Sequence, residues 1–294
     1  MRNAKVGVVG LGFVGSALIK GLKKKEYFNA IHTYDKYKNS SCESLKELCK
    51  QTELIFVCVP TPMKTADGGA NVSYVRDTIL EIDSYKKNHI VVIKSTVPPG
   101  TTKLIQKLCT NCSIVFSPEF LTEANFLNDF LNQDRIVLGG SWSAKHAVKD
   151  FFQKGWQEGA SITGRVGTKY LLTDSTTAEM VKYFANCFLA TKVTFANEMH
   201  NLCETVGVDY GEVVHIATHD RRINNSHFEV PGPDGGFGFS GSCFPKDLCA
   251  LLELLNLHGL TAPMLNGVWE SNLLSRPERD WEKLKGRAIT DEEK

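Results

Sequence analysis

Short apolar runs alternate with amphipathic stretches through the first half of the chain. Residues 5–9 (KVGVV), 30–36 (AIHTYDK), 53–59 (ELIFVCV), 89–96 (HIVVIKST), 113–120 (SIVFSPEF), 135–140 (RIVLGG) and 169–174 (KYLLTD) read as strands. Helical patterns fall at about 13–24 and 73–86 and again after Gly100. Apolar strands alternating with helices predict an α/β fold with a doubly wound parallel sheet, covered on both faces.

The second half is helical. Met180, Val181, Phe184, Phe188, Val193, Phe195 and Met199 supply apolar faces to one long helix over about 176–206, which Asp174 or Ser175 would cap. Gly207 ends it, and a shorter helix follows Val208-Asp209. Residues 220–241 show almost no periodicity, and a loop this long and glycine-rich is expected to be functional. Helices are expected at about 245–258 and 263–274, then a charged, frayed tail after Pro277. The predicted organisation is residues 1–174 as an α/β domain and 175–294 as an α-helical domain. A helix apolar on several faces needs more neighbours than one small domain offers, so 176–206 is expected to make a homodimer contact.

Composition narrows the classes. The chain has 294 residues, 42% hydrophobic and 23% charged, with 34 basic against 33 acidic side chains and a net charge of +1. That balance gives no reason to expect nucleic acid or an anionic membrane as a partner. No apolar run reaches membrane-spanning length. The N-terminal glycine spacing suits a first strand and turn rather than a signal sequence. Nine cysteines, without a secretory signal, read as reduced thiols in a cytoplasmic compartment. Cys109 and Cys112 form a C-x-x-C with no second pair at zinc spacing, so two helix-end thiols are expected and no metal. There is no internal repeat.

The chemistry gathers at a few strings. GLGFVG follows the first strand, and Gly10, Gly12 and Gly15 fit G-x-G-x-x-G, with Phe13 and Val14 opening the helix. The first glycine allows the tight turn, the second lets backbone approach a pyrophosphate, and the third lets helix pack on strand. Asp35 ends the second strand, where a carboxylate bonds the ribose hydroxyls of NAD and repels a 2′-phosphate. This predicts a Rossmann-type sheet with NAD as cofactor. Ligands bind beyond the carboxyl ends of such strands, where Thr61, Ser95, Thr96, Glu119 and Glu123 stand. Ser117-Pro118 looks like a helix start, which would put Glu119 and Glu123 on one face. Lys182 and Asn186, one turn apart among apolar positions, would line a cleft. In GFSGSCFPKD (238–247) the thiol of Cys243 sits on a glycine-rich turn ahead of a helix, with Lys246 and Asp247 close behind. A helix N-terminus and a nearby ammonium both favour thiolate.

With these strings assembled, the chain resembles the UDP-glucose/GDP-mannose dehydrogenase family. The likeness runs from GLGFVG through VPTP, STVPPGTT, SPEFLTEANF, TAEMVKYFANCFLATK and GSCFPKD to about residue 276. The resemblance implies an NAD-dependent, four-electron oxidation of a nucleotide-sugar C6 alcohol to a carboxylate, with UDP-glucose to UDP-glucuronate as the expected case. Cys243 would match the nucleophile that forms a thiohemiacetal and then a thioester. Lys182 and Asn186 would match the oxyanion-stabilising pair. Thr96, Glu123 and Asp247 would match residues that hold the catalytic water and assist proton transfer, and Glu119 the general base or acid in thioester hydrolysis. Gly10 to Gly15, Asp35, Thr61, Thr96, Glu123 and Lys246 would match cofactor contacts. Glu119, Phe120, Leu121, Glu123, Lys182, Asn186, Gly235, Phe237, Gly238 and Ser240 would match substrate contacts.

The chain also departs from the family pattern. Family members usually continue for a hundred or more residues into a further nucleotide-binding domain, so this chain reads as a short form. Ser240 stands where a glycine is common, as do Ala124 and Asn224, and Ser40 replaces a basic residue of some members. Two other readings compete. One is a two-electron β-hydroxyacid dehydrogenase, which needs no thiol. The other is a non-catalytic module that binds NAD and a nucleotide sugar.

Overall fold

The computed structural model describes residues 5–23, 31–66, 68–122, 125–154 and 167–290. The chain divides into two compact units: one of Met1–Thr61 and Asn71–Lys182, the other of Pro62–Ala70 and Tyr183–Lys294.

The first unit is built on seven strands: β1 (Val6–Val9), β2 (Ile31–Tyr34), β3 (Leu54–Val57), β4 (Ile90–Ile93), β5 (Ser113–Phe116), β6 (Arg135–Gly140) and β7 (Lys169–Thr173). Their order is β2-β1-β3-β4-β5-β6-β7. All neighbours pair in parallel except β5 and β6, whose pairing is antiparallel and short, Val115 opposite Gly140 and Phe116 opposite Gly139. The sheet is thus mostly parallel, and this reversal is not legible in the sequence.

Alternate side chains of each strand feed opposite faces. Val6, Val8, Phe56, Val92, Val115 and Leu138 pack with Leu18 and Leu22 of α1 (Phe13–Lys23) and with Val148, Phe151 and Phe152 of α6 (Trp142–Lys154). Ile55, Val57, Val91, Ile93, Ile114 and Val137 pack with Leu48 of α2 (Leu45–Gln51), Ile79 of α3 (Ser73–Ser84) and Ile105 of α4 (Thr101–Leu108). Two separate apolar clusters on the two faces make the fold a doubly wound α/β sheet. α5 (Phe126–Leu131) lies against α1, where a Cβ on Gly21 would meet Phe130 at 2.2 Å.

α7 (Ser175–Val206) begins in the first unit and continues into the second. It is followed by α8 (Tyr210–Ala217), α9 (Phe244–Leu257), α10 (Pro263–Ser275) and a 3-10 helix at Asp280–Lys283. Asp209 caps α8 by accepting the Glu212 N–H at 2.8 Å. The core of this unit holds Met63, Cys187, Ala190, Phe239, Leu248, Cys249, Val268, Trp269, Trp281 and Ala288.

The tail differs from the sequence expectation through residue 290. Trp281 is fully buried beside Trp269, ring centroids 5.5 Å apart. Met63 exchanges backbone bonds with Ala288 (2.8 Å) and Thr290 (2.9 Å). One buried indole outweighs the charged neighbours that suggested fraying. No helix among the described residues is long and apolar enough to cross a membrane.

Candidate functional site

Gly10 follows β1 at φ 91°, a left-handed conformation that favours glycine. A Cβ there would lie 2.7 Å from the Cys58 backbone, and a Cβ on Gly15 would lie 2.0 Å from the Gly10 carbonyl oxygen. Gly12 faces open space, with nothing within 4 Å of where its Cβ would be. Phe13 and Val14 form the first turn of α1. Asp35, just past β2, accepts the Leu11 N–H at Oδ2 (2.6 Å) and the Tyr37 and Lys38 N–H groups at Oδ1 (2.9 and 3.0 Å). Lys38 Nζ donates to the Leu11 carbonyl at 2.8 Å. A clear Gly12, a helix N-terminus and a carboxylate tied to the turn fit a dinucleotide whose pyrophosphate lies over the glycines.

The carboxyl ends of the next strands carry buried polar groups. Thr61, Ser95 and Thr96 are all buried. Ser95 Oγ donates to the Val59 carbonyl at 2.6 Å.

Beyond β5 the expected helix at Ser117-Pro118 is not formed by residues 117–122. The carbonyls such a helix needs are taken by two lysines instead. Lys94 Nζ donates to the Pro118 carbonyl (3.2 Å) and Ser117 Oγ (3.4 Å), and Lys182 Nζ donates to the Glu119 carbonyl (2.7 Å). Glu123, expected to share a helix face with Glu119, lies outside the described residues.

Glu119 and Lys182 form an ion pair at 3.2 Å, both almost wholly buried. Glu119 Oε2 also accepts the Leu121 N–H at 2.7 Å. Burial pushes the Glu119 carboxyl up, but the Lys182 ammonium, the Leu121 N–H and the Lys94 ammonium outweigh it and hold it below the ordinary range. Burial draws the Lys94 ammonium down to about 8. Phe120 stacks under cations, with Arg135 4.2 Å and Lys182 Nζ 5.5 Å from its ring centre. Lys94 was missed in the sequence; its signal is a lysine ending an otherwise apolar strand.

In the second unit Cys243 is the N-cap residue of α9, with Pro245 in the first turn. It is half-buried, while the other eight cysteines are buried and all nine are thiols. Burial raises the thiols of Cys49 and Cys58 to about 12. Asp247 is buried and accepts Asn186 Nδ2 at 2.6 Å on Oδ2. Its Oδ1 takes the Lys246 ammonium. Lys182 and Asn186 therefore lie one turn apart on α7 but serve different carboxylates.

The substrate-loop residues fall on one irregular segment. Gly235 and Gly238 have positive φ (77° and 66°), Phe237 is partly exposed, and the Ser240 hydroxyl donates to Asp280 Oδ1. Asn197, Asn272, Arg276 and Asp280, which fasten this segment, carry no local sequence signal.

The C-x-x-C pair has a third neighbour. The Cys109 and Cys112 sulfurs and an Asp83 oxygen lie within 4.8 Å of one another. Asp83 is already committed, however: Oδ1 accepts the Asn111 and Cys112 N–H groups (both 2.8 Å), and Oδ2 accepts the Thr110 N–H at 3.1 Å and Asn111 Nδ2 at 3.3 Å. It clamps the turn between α4 and β5.

Two family models match the chain. The UDP-glucose/GDP-mannose dehydrogenase NAD binding domain matches residues 20–154, and the central domain of the same family matches residues 176–273. The chain belongs to the UDP-glucose/GDP-mannose dehydrogenase family.

A UDP-glucose 6-dehydrogenase of Rickettsia bellii is 36% identical over 256 residues, 85% of this chain and 55% of that protein. The chain thus spans about half the length of the curated relatives it matches. A solved UDP-glucose dehydrogenase from Pyrobaculum islandicum superposes with a TM-score of 0.78 at 29% identity, over 92% of this chain and 68% of that one. A Mycobacterium tuberculosis 3-hydroxyisobutyrate dehydrogenase superposes at 0.72 and 14% identity, over 94% of each chain, a likeness of fold alone. NAD is the cofactor of the matched N-terminal domain.

Proposed function

We propose that the chain carries the NAD-dependent oxidation of a nucleotide-sugar C6 alcohol to a carboxylate, with UDP-glucose as substrate and UDP-glucuronate as product. The observation that carries this reading is the half-buried Cys243 thiol at the head of α9, four residues before a buried Asp247 tied to Asn186. A two-electron alcohol dehydrogenase has no use for such a thiol. The Rickettsia bellii relative, named as a UDP-glucose 6-dehydrogenase, supports the choice of sugar.

When bound, NAD supplies the acceptor for the hydrides that leave the sugar carbon. Gly10, Gly12, Gly15 and Asp35 would hold it, with Phe13, Val14, Thr61, Thr96, Glu123 and Lys246 as further contacts. Cys243 Sγ would add to the intermediate aldehyde: a C–S bond forms, the carbonyl π pair moves to oxygen, and a proton joins it to give a thiohemiacetal. Lys182 and Asn186 would donate to that oxygen as its charge develops. A second two-electron oxidation leaves a thioester. Glu119 would take a proton from water held with Thr96, Glu123 and Asp247; the C–O bond forms, the C–S bond breaks, and sulfur departs as thiolate. Glu119, Phe120, Leu121, Glu123, Gly235, Phe237, Gly238 and Ser240 would contact the nucleotide sugar.

In this reading residues 1–174 serve the cofactor, and 175–294 carry the thiol loop and a homodimer contact along α7. Met180, Phe184, Phe188, Phe195, Leu202 and Val206 of that helix are exposed in the single chain, which supports a dimer. Nine reduced thiols suit the cytoplasm.

The test is purified protein with NAD and a panel of nucleotide sugars, read by NADH absorbance. Two NADH per UDP-glucose supports the proposal. One NADH supports a two-electron dehydrogenase, and binding without NADH a non-catalytic module.

A further inference from the structure

The segment that leads to Cys243 is fastened from three helical elements. Asn197 of α7 accepts the Gly238 N–H at 2.9 Å. Asn272 of α10 accepts the Phe239 N–H (2.7 Å) and donates to the Phe239 carbonyl (3.1 Å), pairing that backbone as a neighbouring strand would. Arg276, 5% exposed, donates Nη1 to the Phe237 carbonyl (3.1 Å) and Nη2 to Asp234 Oδ2 (2.5 Å). Its Nε and Nη2 also reach Asp280 Oδ2, at 3.2 and 3.1 Å. Asp280 Oδ1 then takes the hydroxyl of Ser240.

A chain of charge-assisted bonds thus runs Asp234–Arg276–Asp280–Ser240 around one short loop. Two of its three glycines leave no slack, while Gly235 faces open space. A Cβ on Gly236 would meet Arg276 Nη2 at 2.7 Å, and a Cβ on Gly238 would meet Asn272 Oδ1 at 2.5 Å.

The hydroxyl proton of Ser240 is already given to Asp280. We infer that Arg276 and Asp280 are positioning residues which, through Ser240, lock the 234–240 loop and so fix how the Cys243 thiol is presented. Ser240 then serves as a latch on the loop rather than as a hydrogen-bond donor to the sugar. The inference deepens the proposed function and rests on it for the catalytic consequence. Its geometric part concerns only the accessibility of one thiol.

The test is the rate at which iodoacetamide alkylates Cys243 in the full chain, followed by peptide mass spectrometry. Eight buried cysteines leave Cys243 as the accessible one. Ser240→Ala and Asp280→Ala are each expected to speed alkylation about fivefold, the scale of one released hydrogen bond. The double variant should go no further than Asp280→Ala alone, because that substitution already removes the Ser240 contact together with those of Arg276. Asp280→Asn keeps an acceptor oxygen for Ser240 and should shift the rate less.

General loosening of the fold would instead give additive rates and a fall in thermal midpoint, which would overturn the latch. An unchanged Cys243 rate in folded Ser240→Ala and Asp280→Ala would overturn it too. With UDP-glucose and NAD the single variants should lower kcat more than they raise KM. If the unsubstituted chain oxidises no nucleotide sugar while the alkylation pattern holds, the functional reading fails and the latch stands.

Discussion

The side-chain amide of Asn186 donates to Asp247 Oδ2 at 2.6 Å, and both residues are more than nine-tenths buried. The bond joins the middle of α7 to the first turn of α9, four residues after Cys243. It satisfies a carboxylate that water cannot reach.

Asn186→Ala should therefore destabilise the chain by about 1–3 kcal/mol, the cost of a buried acceptor left short of a donor. Urea unfolding at neutral pH measures it. Sugar oxidation should also fall, because the variant removes one proposed oxyanion donor and frees Asp247.

Glu119 and Lys182 give a pH-dependent signature. The groups facing Glu119 are Lys182, Lys94 and the Leu121 N–H, and their sum lowers its carboxyl despite burial. A lowered carboxyl stabilises the fold above the unfolded pKa, about 4.3. That stability is lost as pH falls through the folded value. Lys182→Met should flatten the acid limb of stability against pH. It should also cost about 3–5 kcal/mol at pH 7 by leaving a buried carboxylate without its cation. An unchanged acid limb, followed by circular dichroism, would contradict the pairing.

Lys94 shifts in the same direction for a different reason, since burial penalises its charged form. Its folded value of about 8 lies below the ordinary lysine value. Between these values the unfolded chain binds more protons, so stability from this group rises with pH. The stability of Lys94→Met relative to the unsubstituted chain should therefore be greatest near pH 7. It should decline by about 3 kcal/mol by pH 10.5. Paired urea titrations across that range read the difference.

The glycine turn is tested by Gly15→Ala, whose methyl would press on the Gly10 carbonyl. NADH binding, followed by fluorescence, should weaken at least tenfold, since the turn must open to admit the methyl group. Asp35→Asn should keep NADH binding within severalfold and raise NADPH binding, because the carboxylate that repels a 2′-phosphate is gone.

Much of the fold was legible because β1, β3 and β4 are apolar on both faces. All seven runs read from the sequence contain a strand, and the glycine turn and Asp35 fall at the ends of β1 and β2. α2 went unread because seven residues span too little periodicity. α6 went unread although Ala144, Val148, Phe151 and Phe152 all face the core.

The misreadings share one cause: distant partners overrode local signals. Ser117-Pro118 has the residues of a helix start, yet lysines 24 and 63 positions away claim the adjoining carbonyls. The tail looks polar, yet Trp281 anchors it. Asp280 lies 40 residues beyond Ser240, and neither residue announces the other.

The central claim is covalent catalysis by Cys243, and the most direct test is the mass of protein quenched in acid during turnover of UDP-glucose and NAD. The account predicts a nucleotide-sugar adduct on the peptide carrying Cys243, and neither adduct nor carboxylate product from Cys243→Ala. An unmodified peptide, together with a Cys243→Ala variant that makes UDP-glucuronate at the unsubstituted rate, would contradict it.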